Sequence, residues 1–288
     1  MRGVASPRLA RRASAWRRDL AARLRHAEAR WSLVLEGPLA TGETAARTFA
    51  VRRADGAAAV LKLAPPGQAL EAEATALAAF AGRGAARLLA ADLPAGALLI
   101  ERLSPGTALR HLAARDDDAA TLAAAGVMAA LRRPPPPGAV LAEAAGWVRA
   151  LDRALEAPGP LPRPMLARAA RLMRELAAGA PPPVLLHGDL HAGNILRDGA
   201  AGWRAVDPKG LIGDPAFEAA AFLRDPPGPA ARAARRVALL AEATGLPRER
   251  IAAWGYAGAA LAAAWAVEDG SDPARWCAAA EAMAPALA

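Results

Sequence analysis

Asp189 and Asn194 stand five residues apart in HGDLHAGNIL, and Asp207 follows in AVDPKG. Asn194 is the only asparagine among 288 residues, and only two of the 36 basic side chains are lysines, Lys62 and Lys209. A composition that has exchanged nearly every Asn and Lys for Ala, Arg, Pro and Gly marks the survivors as positions where side-chain chemistry matters. Phosphoryl transfer from a nucleotide needs the triphosphate held, its charge offset by magnesium, and the acceptor hydroxyl oriented by a carboxylate. In that scheme Asp189 accepts the hydroxyl proton, and Asn194 and Asp207 supply the hard oxygens that magnesium prefers. Singly, each is an ordinary loop or turn residue. The specificity lies in HGD, the five-residue spacing and the AVD run taken together.

Lys62 closes the apolar run AAAVLKL, and a strand's period of two sets it opposite in sense to Leu61 and Leu63. It is predicted to project into a cleft as a point charge for the α- and β-phosphates, steadied by a carboxylate of the following helix. That helix offers Glu71 and Glu73. Glu73 is preferred, because Leu70, Ala74 and Leu77 mark the core side and Glu73 flanks it. Zinc hydrolysis is the competing chemistry, since His187, Asp189 and His191 alternate. The other histidines, His26 and His111, lie in helical segments without ligand-like neighbours. His187 and His191 are therefore read as hydrogen-bonders that fix the loop around Asp189.

The elements that must position these groups fall into two lobes. Residues 1–103 carry an N-terminal helix, with Leu9, Trp16, Leu20, Leu24 and Trp31 at helical spacing. Five strands are predicted at 31–36, 48–53, 57–63, 87–92 and 97–103, with a helix over 68–81. Residues 104–288 open on Ser104-Pro105-Gly106 and turn to Ala/Leu/Arg helices cut by proline clusters. Within them lie two β-type runs, NILR and WRAVD, around an Asp198-Gly199 turn, which carry Asn194 and Asp207 to one end of a hairpin. The predicted fold class is α+β, with a β-rich N-lobe and a mainly helical C-lobe.

A net charge of +8 would ordinarily raise nucleic acid as a partner. Here the arginines are scattered singly, and 4% aromatic residues are too few for a base-stacking platform. No nucleic-acid partner is expected. The single cysteine, Cys277, excludes an intramolecular disulfide framework and suits a reducing compartment. The Arg-rich N-terminus lacks the apolar stretch of a secretory signal, and no uncharged run reaches the ~18 residues of a membrane span. A cytoplasmic location without membrane contact is expected.

HGDLHAGN, AVDPKGLIGDPAFEAAAFLRDP and AVEDGSDPARW resemble the aminoglycoside phosphotransferase family, most of all its streptomycin 6-phosphotransferase and hydroxyurea-kinase branch, over roughly residues 31–280. DPKGLIGDPAFE is the most branch-specific stretch. The resemblance implies a protein-kinase-like fold using ATP and Mg2+, with Asp189 catalytic and Asn194 and Asp207 as metal ligands. It makes Lys62 and Glu73 the phosphate-anchoring ion pair. It assigns Glu101, Arg102 and Leu103 to the hinge whose backbone meets adenine, and Asp214 to bracing the catalytic loop. A helix N-cap before PAFEAA is the other role open to Asp214, and the two are compatible.

The phosphate-covering loop, EGPLATGETAART, holds only two glycines, fewer than the branch leads one to expect. Thr41 and Thr44 hydroxyls, beside Gly42, are expected to replace missing amide contacts. Seven residues from Asp207 to Asp214 leave no room for a long activation segment, which favours a small-molecule acceptor. A cationic aminoglycoside calls for carboxylates, so Glu268 and Asp269 are the acceptor candidates, with Trp265 and Trp276 as walls. A plain helix end followed by a Gly-Ser-Asp-Pro turn explains them equally well. Asp116-Asp117-Asp118 reads as a helix start. The functional alternatives are a kinase of hydroxyurea, a sugar or another metabolite alcohol, and a nucleotide-binding module without turnover. The oligomeric state is left open.

Overall fold

The computed structural model describes residue 16 and residues 19–39, 46–225 and 228–287. Leu9 and the expected phosphate-loop residues Thr41, Gly42 and Thr44 lie outside these.

The N-lobe is an antiparallel sheet between two helices. Helix α1 (Leu20–Trp31) precedes β1 (Val34–Pro38), β2 (Arg47–Arg52) and β3 (Ala58–Leu63). Helix α2 (Gln68–Phe80), β4 (Leu88–Asp92) and β5 (Ala97–Glu101) complete it, with strand order β1-β2-β3-β5-β4. Alternation along β3 assigns the two faces. Leu61 and Leu63 pack with Trp16, Leu20, Leu24 and Trp31 on one side, whereas Leu70, Ala74 and Leu77 of α2 cover Leu98 and Ile100 on the other. Lys62 shares the α2 side. One boundary differs from expectation. Trp31 was predicted to open β1 but closes α1, because its helical spacing from Leu20 and Leu24 continues the buried stripe. Ser32 then ends the helix in a left-handed conformation, φ 52°, with its N–H on the Glu28 carbonyl.

After the hinge, β6 (Pro105–Ala108) joins β9 (Ile195–Asp198) and β10 (Gly202–Ala205) in a three-stranded sheet, order β10-β9-β6. The pairing of β9 with β10 is the hairpin read from the sequence. A second small sheet sets β11 (Leu211–Gly213) between β7 (Ala142–Glu143) and β8 (Val184–Leu186). The loop carrying Asp189 runs from β8 to β9, and the segment carrying Asp207 runs from β10 to β11. Both therefore open at the same end of the two sheets.

The helices beneath are α3 (Arg110–Ala113), α4 (Asp117–Leu131), α5 (Val148–Glu156), α6 (Arg163–Ala178), α7 (Ala219–Arg224), α8 (Ala230–Thr244), α9 (Arg248–Glu268) and α10 (Ala274–Met283). Helix α9 is the buried axis of the lobe. Its small residues let neighbours approach closely: a Cβ at Gly258 would stand 2.8 Å from Ala220 Cβ of α7. Asp116 caps α4 by accepting the Ala119 N–H at 2.9 Å, as its acidic start implied. Among the described residues no helix is long and apolar enough to cross a membrane.

Candidate active site

Lys62 reaches across from β3 to the C-lobe. Its Nζ donates to both carboxylate oxygens of Glu73 at 2.7 and 2.6 Å and also to Asp207 Oδ1. Burial alone would lower the Lys62 pKa, but Glu73 and Asp207 outweigh it and hold the ammonium above its ordinary 10.5. Glu71, two residues earlier, is exposed and takes no part.

Asp207 adopts φ 61°, a left-handed conformation uncommon outside glycine. Strain of this kind gathers where geometry is imposed for function. Here it follows the Val206 N–H bond to the Asn194 carbonyl, at 2.9 Å, which ties the β10–β11 segment to the Asp189 loop. Asn194 Nδ2 donates to the Asp189 carbonyl at 3.0 Å, so its amide oxygen faces the opposite way. Asp189 Oδ1 accepts from Arg224 Nη2 at 3.1 Å, and Lys209 Nζ stands 3.6 Å from Asp189 Oδ2 and 3.6 Å from Asp207 Oδ2. Burial raises the Asp189 pKa, yet Arg224 and Lys209 outweigh it and leave the carboxyl below its usual 3.8. Asp207 is lowered likewise, burial being overcome by Lys62 and Lys209. Both are carboxylates at neutral pH. Asn194 Oδ1 and an Asp207 oxygen not held by Lys62 are hard donors on adjoining segments, and they fit a magnesium ion.

Zinc ligation by His187 and His191 does not fit. His187 Nε2 meets the Val206 carbonyl at 2.8 Å, and its Nδ1 accepts the Asp189 N–H at 3.2 Å. His191 Nδ1 accepts the Gly193 N–H at 3.0 Å. Three ring nitrogens are thus committed to shaping the loop.

Asp214 occupies a different place from the one the resemblance assigned. It accepts the Ala216 N–H at 2.9 Å, Arg250 Nε at 3.0 Å and Trp254 Nε1 at 2.7 Å, so it caps a turn and anchors α9. Bracing of the Asp189 loop falls to Glu218, which sequence reasoning passed over. Its carboxylate accepts the N–H of His187 at 2.7 Å and of Gly188 at 2.9 Å. The available signal was an acid amid the apolar AFEAAAFL.

Burial pushes Glu218 up to about 7 from 4.5 and His187 down to about 4 from 6.5. Glu218 therefore favours the folded state fully below pH 4.5, and that contribution is lost as pH rises to about 7. The His187 contribution is present above 6.5 and is lost as pH falls toward 4. The two slopes oppose each other. Replacement by Glu218→Gln removes one of them, so the parent's advantage in unfolding free energy should shrink by on the order of 3 kcal/mol between pH 4.5 and 7. Denaturant unfolding at the two pH values measures it, and an unchanged advantage contradicts the buried-acid assignment.

The hinge residues are engaged through their side chains. Glu101 accepts from Arg204 at 2.7 Å and from the Arg87 N–H at 3.0 Å, Arg102 pairs with Glu36 at 2.8 Å, and Leu103 is buried. The acceptor candidates are scattered. Glu268 pairs with Arg153 of α5 at 2.8 Å, and Trp265 packs edge-on against Trp147 at 4.9 Å between centroids. Asp269 is exposed, with no side-chain hydrogen bond or ion pair among the described residues. Trp276 alone borders the site, with the Arg224 guanidinium 5.8 Å from its ring.

The family described as Aminoglycoside/hydroxyurea antibiotic resistance kinase matches residues 30–270. A hydroxyurea phosphotransferase of Kitasatospora aureofaciens is 39% identical over 84% of this chain and 71% of its own. A streptomycin 6-kinase of Streptomyces glaucescens is 38% identical over 90% and 88%. The structure of a thermostable mutant of aminoglycoside phosphotransferase APH(4)-Ia, in a ternary complex with ADP and hygromycin B, has the same fold. Its TM-score is 0.66 at 17% identity, covering 92% of this chain and 98% of that one.

Proposed function

The chain belongs to the aminoglycoside/hydroxyurea antibiotic resistance kinase family, and from that premise we propose that it transfers the γ-phosphoryl group of ATP, with magnesium, to a hydroxyl of a streptomycin-type aminoglycoside. The observation that carries the chemistry is the single network of Lys62, Glu73, Asp207, Asn194 and Asp189 across the two lobes. Lys62, fixed by Glu73, holds the α- and β-phosphates as a point charge. Asn194 Oδ1 and Asp207 would hold magnesium, which when bound neutralises charge on the β- and γ-phosphoryl oxygens. Asp189 orients the acceptor hydroxyl and takes its proton as the new P–O bond forms. Its low pKa makes it a weak base, so that transfer comes late and orientation is its larger part.

A second reading keeps the chemistry and takes hydroxyurea as acceptor. It is favoured by the charges beside Asp189: Arg224 and Lys209 repel guanidinium groups, while Glu268 is already neutralised by Arg153. Phosphate transfer from ATP, assayed with each compound, separates them. Magnesium-dependent turnover with streptomycin is expected, and chelation with EDTA should abolish it. Turnover with hydroxyurea alone would select the second reading. Absence of transfer to any hydroxyl compound would contradict both.

A further inference from the structure

We propose that Lys209 is a catalytic residue whose ammonium contacts the transferring phosphoryl group between the Asp189 base and the Asp207 metal ligand, an assignment that rests on the phosphoryl-transfer reading. In an in-line transfer the γ-phosphorus travels from the leaving β-phosphate oxygen, on the metal side, to the acceptor oxygen beside Asp189. Lys209 Nζ stands 3.6 Å from Asp189 Oδ2 and 3.6 Å from Asp207 Oδ2, between the two ends of that path. At this separation it is attracted by both carboxylates without being hydrogen-bonded to either.

Lys62 cannot serve there. Its Nζ is engaged by Glu73 and Asp207 and its side chain is 11% exposed, whereas that of Lys209 is 44% exposed. Arg224 is committed to the other Asp189 oxygen.

The Lys209 backbone is fixed. Its N–H bonds the His187 carbonyl at 2.7 Å. The next residue, Gly210, adopts φ 66°, and a Cβ there would stand 2.3 Å from the Ala72 carbonyl of α2, so the chain is wedged against the opposite lobe. What remains free is the side chain, which can turn from the two carboxylates to an arriving phosphoryl group. The choice of residue type fits this role. In a chain where only two of 36 basic residues are lysine, an exposed cation of no particular function would be arginine. An arginine fork would bond a carboxylate with two parallel hydrogen bonds and leave it less readily, while an ammonium is a compact charge with three rotatable donors.

In the step itself, the bond from phosphorus to the β-phosphate oxygen breaks and the bond to the acceptor oxygen forms. The hydroxyl proton goes to Asp189. Lys209 neither gives nor takes a proton; it offsets charge on the equatorial oxygens, which is worth most in the transition state.

The test compares Lys209→Met and Lys209→Arg with the parent, using an acceptor on which the parent turns over. Lys209→Met should lose ~10²- to 10³-fold in kcat, with the Kd of the magnesium complex of a non-hydrolysable ATP analogue within about threefold of the parent's. Lys209→Arg should recover part of the loss. Ethylammonium added to Lys209→Ala should restore measurable kcat, a response that a structural role would not give. An active parent whose Lys209→Met variant keeps kcat within about threefold, or loses nucleotide affinity as steeply as kcat, overturns this assignment alone. Failure of both Lys209→Arg and ethylammonium to restore any rate does so too. A parent that transfers phosphate to no acceptor overturns the proposed function beneath it.

Discussion

Asp189→Asn should lower kcat by ~10³-fold or more, toward the upper end of what general acid–base catalysis contributes, while nucleotide affinity stays within about threefold. The substitution keeps size and shape but removes the charge that orients the hydroxyl and the lone pair that receives its proton. Nucleotide binding is spared because the phosphate anchor sits on the other lobe, in Lys62 and Glu73. The fold should also survive, since the backbone of residue 189 is held independently: its N–H meets His187 Nδ1 at 3.2 Å and its carbonyl meets Asn194 Nδ2 at 3.0 Å. Steady-state kinetics beside calorimetric titration with a non-hydrolysable ATP analogue measures both quantities. A variant with kcat within tenfold of the parent's would remove Asp189 from the mechanism.

Asp207→Asn carries the next largest effect, through the metal rather than the base. Asparagine is among the residues that tolerate a left-handed backbone, so φ 61° is no obstacle to folding. What changes is charge: the magnesium site loses its only carboxylate, and Lys62 keeps only Glu73. The weakened metal site lowers neutralisation of the transferring group, and Lys62 loses one of the two partners that place it, so kcat should fall by ~10²-fold or more and half-saturation by magnesium should rise at least ~10-fold. Titration of activity with magnesium at saturating nucleotide reads this directly. An unchanged magnesium requirement would place the ion elsewhere.

Local alternation made the N-lobe legible. In β3 the period of two assigned Leu61 and Leu63 to one face and Lys62 to the other, and the apolar stripe of α2 separated Glu73 from Glu71. The Asn194 and Asp207 hairpin was readable for the same reason, two short β-type runs around an Asp-Gly turn. Strands too short to alternate were not. Pro105–Ala108, Ala142–Glu143 and Leu211–Gly213 are strands only because neighbours pair with them.

Contacts between distant segments were equally invisible. Glu268 read equally as an acceptor carboxylate and as a helix end, and its pairing with Arg153, 115 residues earlier, left no trace in the sequence. Trp265 was drawn to Trp147 by the same packing. The loop support assigned to Asp214 passed to Glu218, four residues on, because the chain turns through Pro215–Glu218 and aims the later acid at the His187 and Gly188 amides. Composition, by contrast, singled out positions rather than partners: both lysines and the lone asparagine lie in one network.

Asp189, Asn194 and Asp207 should act as one magnesium-dependent phosphoryl-transfer centre, and a crystal structure of the protein with magnesium and a non-hydrolysable ATP analogue would show whether they do. A metal ion is expected about 2.1 Å from Asn194 Oδ1 and an Asp207 oxygen, with the γ-phosphate between that ion and Asp189. A nucleotide bound with its γ-phosphate away from Asp189, or a metal ion that touches neither Asn194 nor Asp207, would contradict it.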